Sequence, residues 1–138
     1  MICCMGFNRP DRVRPESMQT EILKYVNEDR KSHRMEPLII NDLESTLASK
    51  HSTDMATGKS PFGHEGFTKR AKTIMSNLGC EGVGENVAAG KMNAREVVGG
   101  WLKSPEHKKN IEGNFNLTGI GYAADKNGVV FFTEIFSR

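Results

Sequence analysis

The chain has 138 residues, of which 37% are hydrophobic and 26% are charged, and its formal net charge at pH 7 is +2. This length suits one globular domain with a single core. A charge so close to zero gives no reason to expect nucleic acid as a partner. No apolar run approaches the roughly 20 residues that span a bilayer, so the sequence predicts no transmembrane segment.

Residues 1–16 are predicted to form an irregular arm, because two prolines interrupt them and several arginines keep them solvated. The arm has no basic start followed by a long apolar stretch, so no signal peptide is predicted in this chain. Cys3 and Cys4 lie in the arm and Cys80 stands alone. This odd count without metal-binding spacing favours free thiols. A bridge between Cys80 and the arm, and lipidation of Cys3 or Cys4, are the alternatives.

Residues 17–138 are predicted to form the domain, and its first half is helical in pattern. Apolar residues recur at helical spacing from Met18 to Val26, which predicts an amphipathic helix that begins at Ser17. The helix should fade before Pro37, because the residue before a proline disfavours helical geometry.

A second helix is predicted between Asn41 and Gly58. Asn41 is a favoured capping residue, and Glu44, three positions later, is placed to complete a capping box. His51 falls on the apolar face of this helix. A packed, hydrogen-bonded histidine is therefore a better interpretation of His51 than a metal ligand.

Three shorter helices follow in the sequence. One is predicted at residues 68–78, ended by Gly79. Asn93 and Glu96 repeat the capping pattern and open the next. Ser104-Pro105 begins the last, because proline suits the first helical position.

The end of the chain is predicted to be β-structure. Two strands, at residues 117–123 and 129–137, flank Asn127-Gly128, which is a strong hairpin signal. Both faces of the last strand are largely apolar, so helices should cover both sides of the sheet. We therefore expect an α+β protein, a three-layer α/β/α sandwich with a largely antiparallel sheet. Gly119 and Gly121 share one face of their strand, where another element or a ligand can approach closely.

The candidate functional residues are His64, Glu85 and His107, separated from one another by about 20 residues along the chain. His64 is predicted on a loop, Glu85 on a loop entering a strand, and His107 in the first turn of a helix. Two imidazoles and one carboxylate suffice to bind a divalent metal such as Zn²⁺, or for acid–base chemistry. Spacing this wide means that any shared site must be built by the fold.

Three hypotheses follow from this set. A binding module would use the three residues to hold a metal or to brace a groove. A zinc-dependent hydrolase would activate a metal-bound water, with Glu85, Glu106 or Glu65 as the candidate catalytic residue. A helix-capping role is the better interpretation of Glu106. In the third hypothesis the residues form a hydrogen-bond network that only fixes loops.

Six phrases occur in a fixed order along most of the domain. They lie at residues 48–55, 62–64, 84–90, 101–111, 119–123 and 132–136. Together they resemble the CAP superfamily, named for cysteine-rich secretory proteins, antigen 5 and pathogenesis-related type 1 proteins. The resemblance is strongest to its short bacterial-type members.

The resemblance implies an α/β/α sandwich with a central cleft. Many family members line this cleft with two histidines and two glutamates, and some bind a divalent metal there. His64 and Glu85 match the first histidine and the first glutamate, and His107 matches the histidine of the bacterial-type Ser-Pro-x-His segment. Ser104 stands where the second glutamate would be, and residues 119–121 hold no second family histidine. The metal set that remains is His64, Glu85 and His107.

The resemblance also implies a secreted or extracytoplasmic protein. Its expected partner is a small hydrophobic or cell-surface ligand, such as a lipid, a cell-wall component or a host molecule, without established catalysis. The expected cofactor is Zn²⁺ or another divalent metal. The alternative is a zinc-dependent hydrolase that acts on peptide or cell-wall substrates.

Overall fold

A computed structural model describes residues 17–138, so the predicted arm at residues 1–16 lies outside the described residues. The described part holds nine helices and strands in this order: α1 (Met18–Ser32), β1 (Ile39–Ile40), α2 (Asp42–Ala56), α3 (Phe67–Leu78), β2 (Val83–Gly90), α4 (Ala94–Leu102), α5 (Pro105–Ile111), β3 (Leu117–Ala124) and β4 (Val130–Ser137). Across this range, no helix is both long and apolar enough to cross a membrane.

The helix boundaries follow the capping residues that the sequence predicts. Asn93 and Glu96 form a full capping box, in which each side chain accepts a hydrogen bond from the other residue's backbone N–H. Asn41 accepts from the backbone N–H of Glu44 at 3.1 Å. The predicted return bond from Glu44 is wrong, because its carboxylate is completely buried instead of turned back toward the cap. Gly79 ends α3 with φ of +66°.

The four strands form one sheet in the order β1-β3-β4-β2. β1 runs parallel to β3, whereas β3 with β4 and β4 with β2 are antiparallel. The predicted hairpin joins β3 to β4, and Gly128 occupies its turn with φ of +80°. The largely antiparallel sheet is therefore confirmed, and β2 lies at one of its edges.

Helices cover both faces of this sheet, which confirms the predicted three layers. On one face Phe132 and Phe136 pack against Ile22 of α1 and Trp101 of α4. On the other face Ile135 packs with Ala48 of α2 and Ile74 of α3. Because successive residues of a strand point to opposite faces, β4 contributes to both cores.

The backbone of α2 lies directly on β3. A Cβ atom added at Gly119 would overlap the backbone of Glu44, and one added at Gly121 would overlap the backbone of Ser49. The predicted close approach is confirmed, and the element that approaches is a helix.

Side chains of neighbouring helices donate to carbonyl groups of the edge strand β2 and of the part of β3 that the short strand β1 does not cover. The bonds run from Trp101 Nε1 to Val87 O at 3.1 Å, from Asn110 Nδ2 to Glu85 O at 3.2 Å, and from Gln19 Nε2 to Ile120 O at 3.1 Å. A sheet can bind a further strand at an exposed edge. Because these carbonyl groups already accept side-chain hydrogen bonds, they are not free to pair with another strand.

Candidate functional site

Glu85 lies inside strand β2 and is directed at helix α3. Its predicted position on a loop is therefore wrong, because Glu85 pairs in register with Ile135 of β4. The side chain of Glu85 is 1% exposed. Arg70 of α3 donates two hydrogen bonds to it, from Nε to Oε2 and from Nη2 to Oε1, both at 2.8 Å. Paired bonds of this kind are among the stronger and more directional contacts in proteins.

His64 joins this ion pair from the loop before α3. Its Nδ1 lies 3.0 Å from Glu85 Oε1, and its side chain is half exposed. A carboxylate accepts hydrogen bonds, so we assign the proton of this pair to Nδ1. No hydrogen bond within residues 17–138 involves His64 Nε2. The structure thus brings two of the three predicted residues, His64 and Glu85, into contact. It adds the guanidinium of Arg70, which links Glu85 to α3.

His107 lies on the other side of the edge strand, in the first turn of α5. Asn86 follows Glu85 in β2 and points to the opposite face, where its Nδ2 donates to the carbonyl oxygen of His107 at 3.0 Å. His107 Nδ1 lies 2.8 Å from Ser104 Oγ. Asn110 completes this side by donating to Asn86 Oδ1 at 2.9 Å. The candidate site therefore straddles β2, with Glu85 on the α3 side and His107 on the α5 side.

The charge of His64 acts on His107 across this edge. Burial lowers the pKa of His107 below its usual value of 6.5, and the charge of His64 lowers it further. Glu106 partly opposes the change. His107 is thereby favoured in its neutral form, which is the form that can bind a metal.

The other two candidate acids are solvent-exposed. Glu65 and Glu106 make no side-chain hydrogen bond within residues 17–138, although the backbone carbonyl of Glu65 accepts from Arg70 at 2.8 Å. His51 is buried and its Nε2 lies 2.7 Å from the carbonyl oxygen of Gly63. That bond confirms the packed interpretation of His51 and holds the loop that carries His64.

Arg70 is the residue of the candidate site that the sequence did not predict. It stands in a helix, 15 residues from Glu85 along the chain, and no local motif marks it. The only local signal is its place one turn after Gly66, at the start of α3. Asn86 and Asn110 lie inside two of the six recognised phrases, but nothing in the sequence assigned them a contact.

A second group of potential metal ligands occurs away from β2. Donor atoms of Asp29, His33 and Glu112 all lie within 4.8 Å of one another. In the described part of the chain, the predicted set of His64, Glu85 and His107 does not reach this closeness as a group of three. The predicted metal set stays a prediction.

An open groove of about 380 Å³ runs between α2 and α3 beside Arg70. Most of the residues that line it are polar or charged, and three of them are lysines: Lys50, Lys59 and Lys69. Lys50 is paired with Asp54 at 2.9 Å. The groove is the space next to the Glu85 network in which a ligand could lie.

Comparison with known proteins gives one family. The family model described as the cysteine-rich secretory protein family, CAP, matches residues 23–136. A Bacillus subtilis protein described as uncharacterized protein YkwD is 32% identical over 108 residues, which is 75% of this chain and 42% of that protein. The chain therefore spans less than half of this relative's length.

Solved structures give the same fold. An outer surface protein from Borrelia burgdorferi has a TM-score of 0.73 and 19% identity, over 89% of this chain and 96% of that one. An extracellular SCP-domain protein from Bacillus anthracis has a TM-score of 0.70 and 27% identity, over 88% of this chain and 40% of that one. A cysteine-rich secretory protein from Staphylococcus aureus has a TM-score of 0.71 and 18% identity, over 94% of this chain and 41% of that one.

Proposed function

This chain belongs to the CAP family of cysteine-rich secretory proteins, and we propose that it is a non-catalytic binding module that works outside the cytoplasm. The observation that carries the proposal is the state of Glu85. Its buried carboxylate is bonded on both oxygens, to Arg70 twice and to His64 once. A general base must reach a substrate proton, and a metal ligand must direct an oxygen at the ion. Glu85 instead acts as a brace: its bonds tie helix α3 and the loop of His64 to strand β2.

The brace fixes a loop that presents recognition groups to solvent. His64 is half exposed on this loop. Phe62, two residues earlier, is 57% exposed, and its ring lies 6.4 Å from that of Phe131 in β4. An aromatic ring exposed on a loop that buried bonds hold in place offers a rigid apolar surface to a partner. A small hydrophobic or cell-surface ligand fits this pairing of an aromatic ring with an imidazole.

A divalent metal such as Zn²⁺ fits the two histidines better than the predicted set of three. His64 uses Nδ1 toward Glu85 and His107 uses Nδ1 toward Ser104, so each keeps Nε2. Bonds of this kind to the second ring nitrogen orient metal-bound histidines in many proteins. Glu85 would then orient His64 without touching the ion. Zinc held there would supply Lewis-acid attraction for an oxygen atom of the ligand.

The descriptions of two relatives support a location outside the cytoplasm. The matched Bacillus anthracis protein is described as extracellular and the Borrelia protein as an outer surface protein. We propose the same side of the membrane for this chain.

Isothermal titration of chelator-stripped protein with Zn²⁺ tests the metal part. We expect binding that His64→Ala and His107→Ala each abolish. Glu85→Gln should weaken it by about 10- to 100-fold, which is the usual cost of losing an outer-shell partner. Loss in Glu85→Gln as complete as in the histidine variants would make Glu85 a ligand and contradict its role as a brace.

Co-sedimentation with purified bacterial cell wall and with lipid vesicles tests the binding part. Phe62→Ala should reduce capture by whichever of the two probes retains the wild-type protein. If neither probe retains the wild-type protein, the proposal of a binding module is contradicted. Zinc-dependent cleavage of peptide or cell wall that His64→Ala abolishes would establish the hydrolase alternative in its place.

A further inference from the structure

The group at Asp29, His33 and Glu112 forms where two helices end. His33 caps the C-terminus of α1 and Glu112 caps that of α5. His33 Nε2 lies 3.6 Å from Glu112 Oε1, and His33 Nδ1 lies 3.7 Å from Asp29 Oδ2. These separations are too long for hydrogen bonds. The first separation, from His33 Nε2 to Glu112 Oε1, resembles the spacing of two atoms that bind one ion with bonds of about 2 Å.

Buried Arg30 fixes the relative position of the two helix ends. From α1 its guanidinium donates to the carbonyl groups of Ile111 and Gly113 at 2.9 Å and of Phe115 at 3.0 Å. The segment that carries Glu112 is therefore held against α1 by three bonds. The donors are set on rigid elements before any ion arrives, which is what a high-affinity site requires.

The backbone also sets the tautomer of His33. Its Nδ1 lies 2.8 Å from the carbonyl oxygen of Asp29. A carbonyl oxygen only accepts hydrogen bonds, so Nδ1 carries a proton. In the neutral ring the lone pair is then on Nε2, the nitrogen nearer Glu112. This bond to a backbone carbonyl is a common support of metal-bound histidines.

The local charge is unbalanced in favour of a divalent cation. Asp29 Oδ2 and Glu112 Oε2 are buried, and neither has a hydrogen-bond partner among residues 17–138. Within the same residues, no lysine or arginine lies within 4.0 Å of either carboxylate, and Lys108 acts on His33 only at longer range. Two carboxylates and an imidazolium leave one negative charge. Two carboxylates, a neutral imidazole and a divalent ion leave none, and the C-terminus of α1 also favours a cation.

We infer that Asp29, His33 and Glu112 form a divalent transition-metal site, separate from the histidine pair at β2. One imidazole nitrogen with two carboxylate oxygens suits zinc or manganese, whereas calcium and magnesium prefer oxygen donors alone. The bound ion would tie the end of α1 to the end of α5.

Zinc titration of a variant without the other histidine pair tests the inference. The protein carries His64→Ala and His107→Ala, together with Cys3→Ser and Cys4→Ser so that no arm thiolate competes. We expect this protein to bind one zinc ion. Adding His33→Gln or Asp29→Asn should weaken that binding at least tenfold, since ligands matter no less than the outer-shell partners whose loss costs about 10- to 100-fold. Glu28→Gln, an exposed neighbour on α1, should leave it unchanged.

Nuclear magnetic resonance of the same protein locates the ion. Zinc should shift the signals of His33 and Glu112, and an equal concentration of magnesium should not. Absence of zinc binding in the background protein overturns the inference. So does binding that survives His33→Gln, or that leaves the His33 and Glu112 signals in place. The outcome is independent of the proposed function, because His64 and His107 are already removed.

Discussion

Two histidine–carboxylate clusters in this domain differ in how their negative charge is balanced. At β2 the carboxylate of Glu85 is 1% exposed and is matched by the guanidinium of Arg70. At the ends of α1 and α5, Asp29 and Glu112 face a single histidine, at distances of 3.6 Å or more. The first cluster is balanced, whereas the second holds two carboxylates against one imidazole and has less positive than negative charge.

The comparison shows that residue type alone does not identify a metal site. Both clusters offer imidazole and carboxylate, which are suitable donors for zinc. A donor is useful only when its lone pair is not already spent on a protein partner. At β2, Arg70 and His64 together use three of the roughly four acceptor positions of the Glu85 carboxylate, so the two Nε2 atoms are the donors best placed for a ligand.

Removal of Arg70 should produce the largest effect and break the balance at β2. Arg70→Met leaves Glu85 as a buried charge without a guanidinium, which we expect to lower the free energy of unfolding by about 3 kcal/mol. Chemical denaturation measures this loss. Lys50→Met is the matched control, because it removes a pair of similar length, 2.9 Å, that is exposed and should change stability little. Arg70→Met and Lys50→Met variants of equal stability would contradict the balanced-charge account.

Glu134 shows the outcome for a buried carboxyl with no guanidinium in contact. Burial raises its pKa from 4.5 to about 8, while the hydroxyl of Thr118 and the charge of Arg30 lower it in part. A folded-state pKa above the unfolded one stabilises the fold at low pH, and this contribution is lost as pH rises from about 4.5 through about 8. Above that range Glu134→Gln should be more stable than wild type by on the order of 2 kcal/mol.

Denaturation at several pH values checks the prediction for Glu134. The advantage of the glutamine variant should shrink as the pH falls and disappear in acid. If Glu134→Gln were more stable than wild type by the same amount at every pH, the raised pKa of Glu134 would not be the cause of its stability.

The α5 side of the β2 site should be less sensitive than the Arg70 side. Asn110→Ala removes the bonds to Glu85 O and Asn86 Oδ1 and should cost about 1 kcal/mol, because neutral hydrogen bonds contribute less than buried ion pairs. Thermal unfolding measures the change against Asn77→Ala, which removes one exposed bond on α3. If Asn110→Ala lowered the stability as much as Arg70→Met does, the contacts of α5 would hold β2 as strongly as Arg70 does, and the expected order would be wrong.

We expect the smallest effect from His33 and His107, whose pKa values shift in opposite directions. The bond to the Asp29 carbonyl and the charge of Glu112 raise the pKa of His33, whereas burial and His64 lower that of His107. The contribution of His33 to stability is therefore present below its ordinary value of 6.5 and lost as pH rises. The contribution of His107 is present above 6.5 and lost as pH falls.

Metal-free protein tests this sign difference. Between about pH 5 and pH 8, where histidines titrate, His33→Gln and His107→Gln should change the slope of stability against pH in opposite directions. Slopes that change in the same direction would remove the distinction between the two clusters.

Local signals made most of the fold predictable. Asn93 with Glu96 and the glycine at position 79 set helix boundaries through contacts a few residues apart. The Asn127-Gly128 hairpin is equally local. Glu44 failed as a capping partner because the fold buries its side chain completely, which its sequence position could not show.

The sites were only partly predictable because their chemistry depends on distant partners. The contact of His64 with Glu85 was anticipated, but the pairing of Glu85 with Arg70 depends on how α3 lies against β2. Glu112 reaches His33 only because Arg30 holds carbonyl groups more than 80 residues away in sequence. No short motif records such a contact.

The side-chain bonds at the sheet edges have a consequence for how this domain can be used. Trp101 and Asn110 occupy carbonyl groups along β2, and Gln19 occupies one along β3. A neighbouring copy that offered its own strand would have to displace bonds that already exist. At these positions the domain can therefore be crowded on a surface, or tethered beside other folded units, without merging its sheet with theirs.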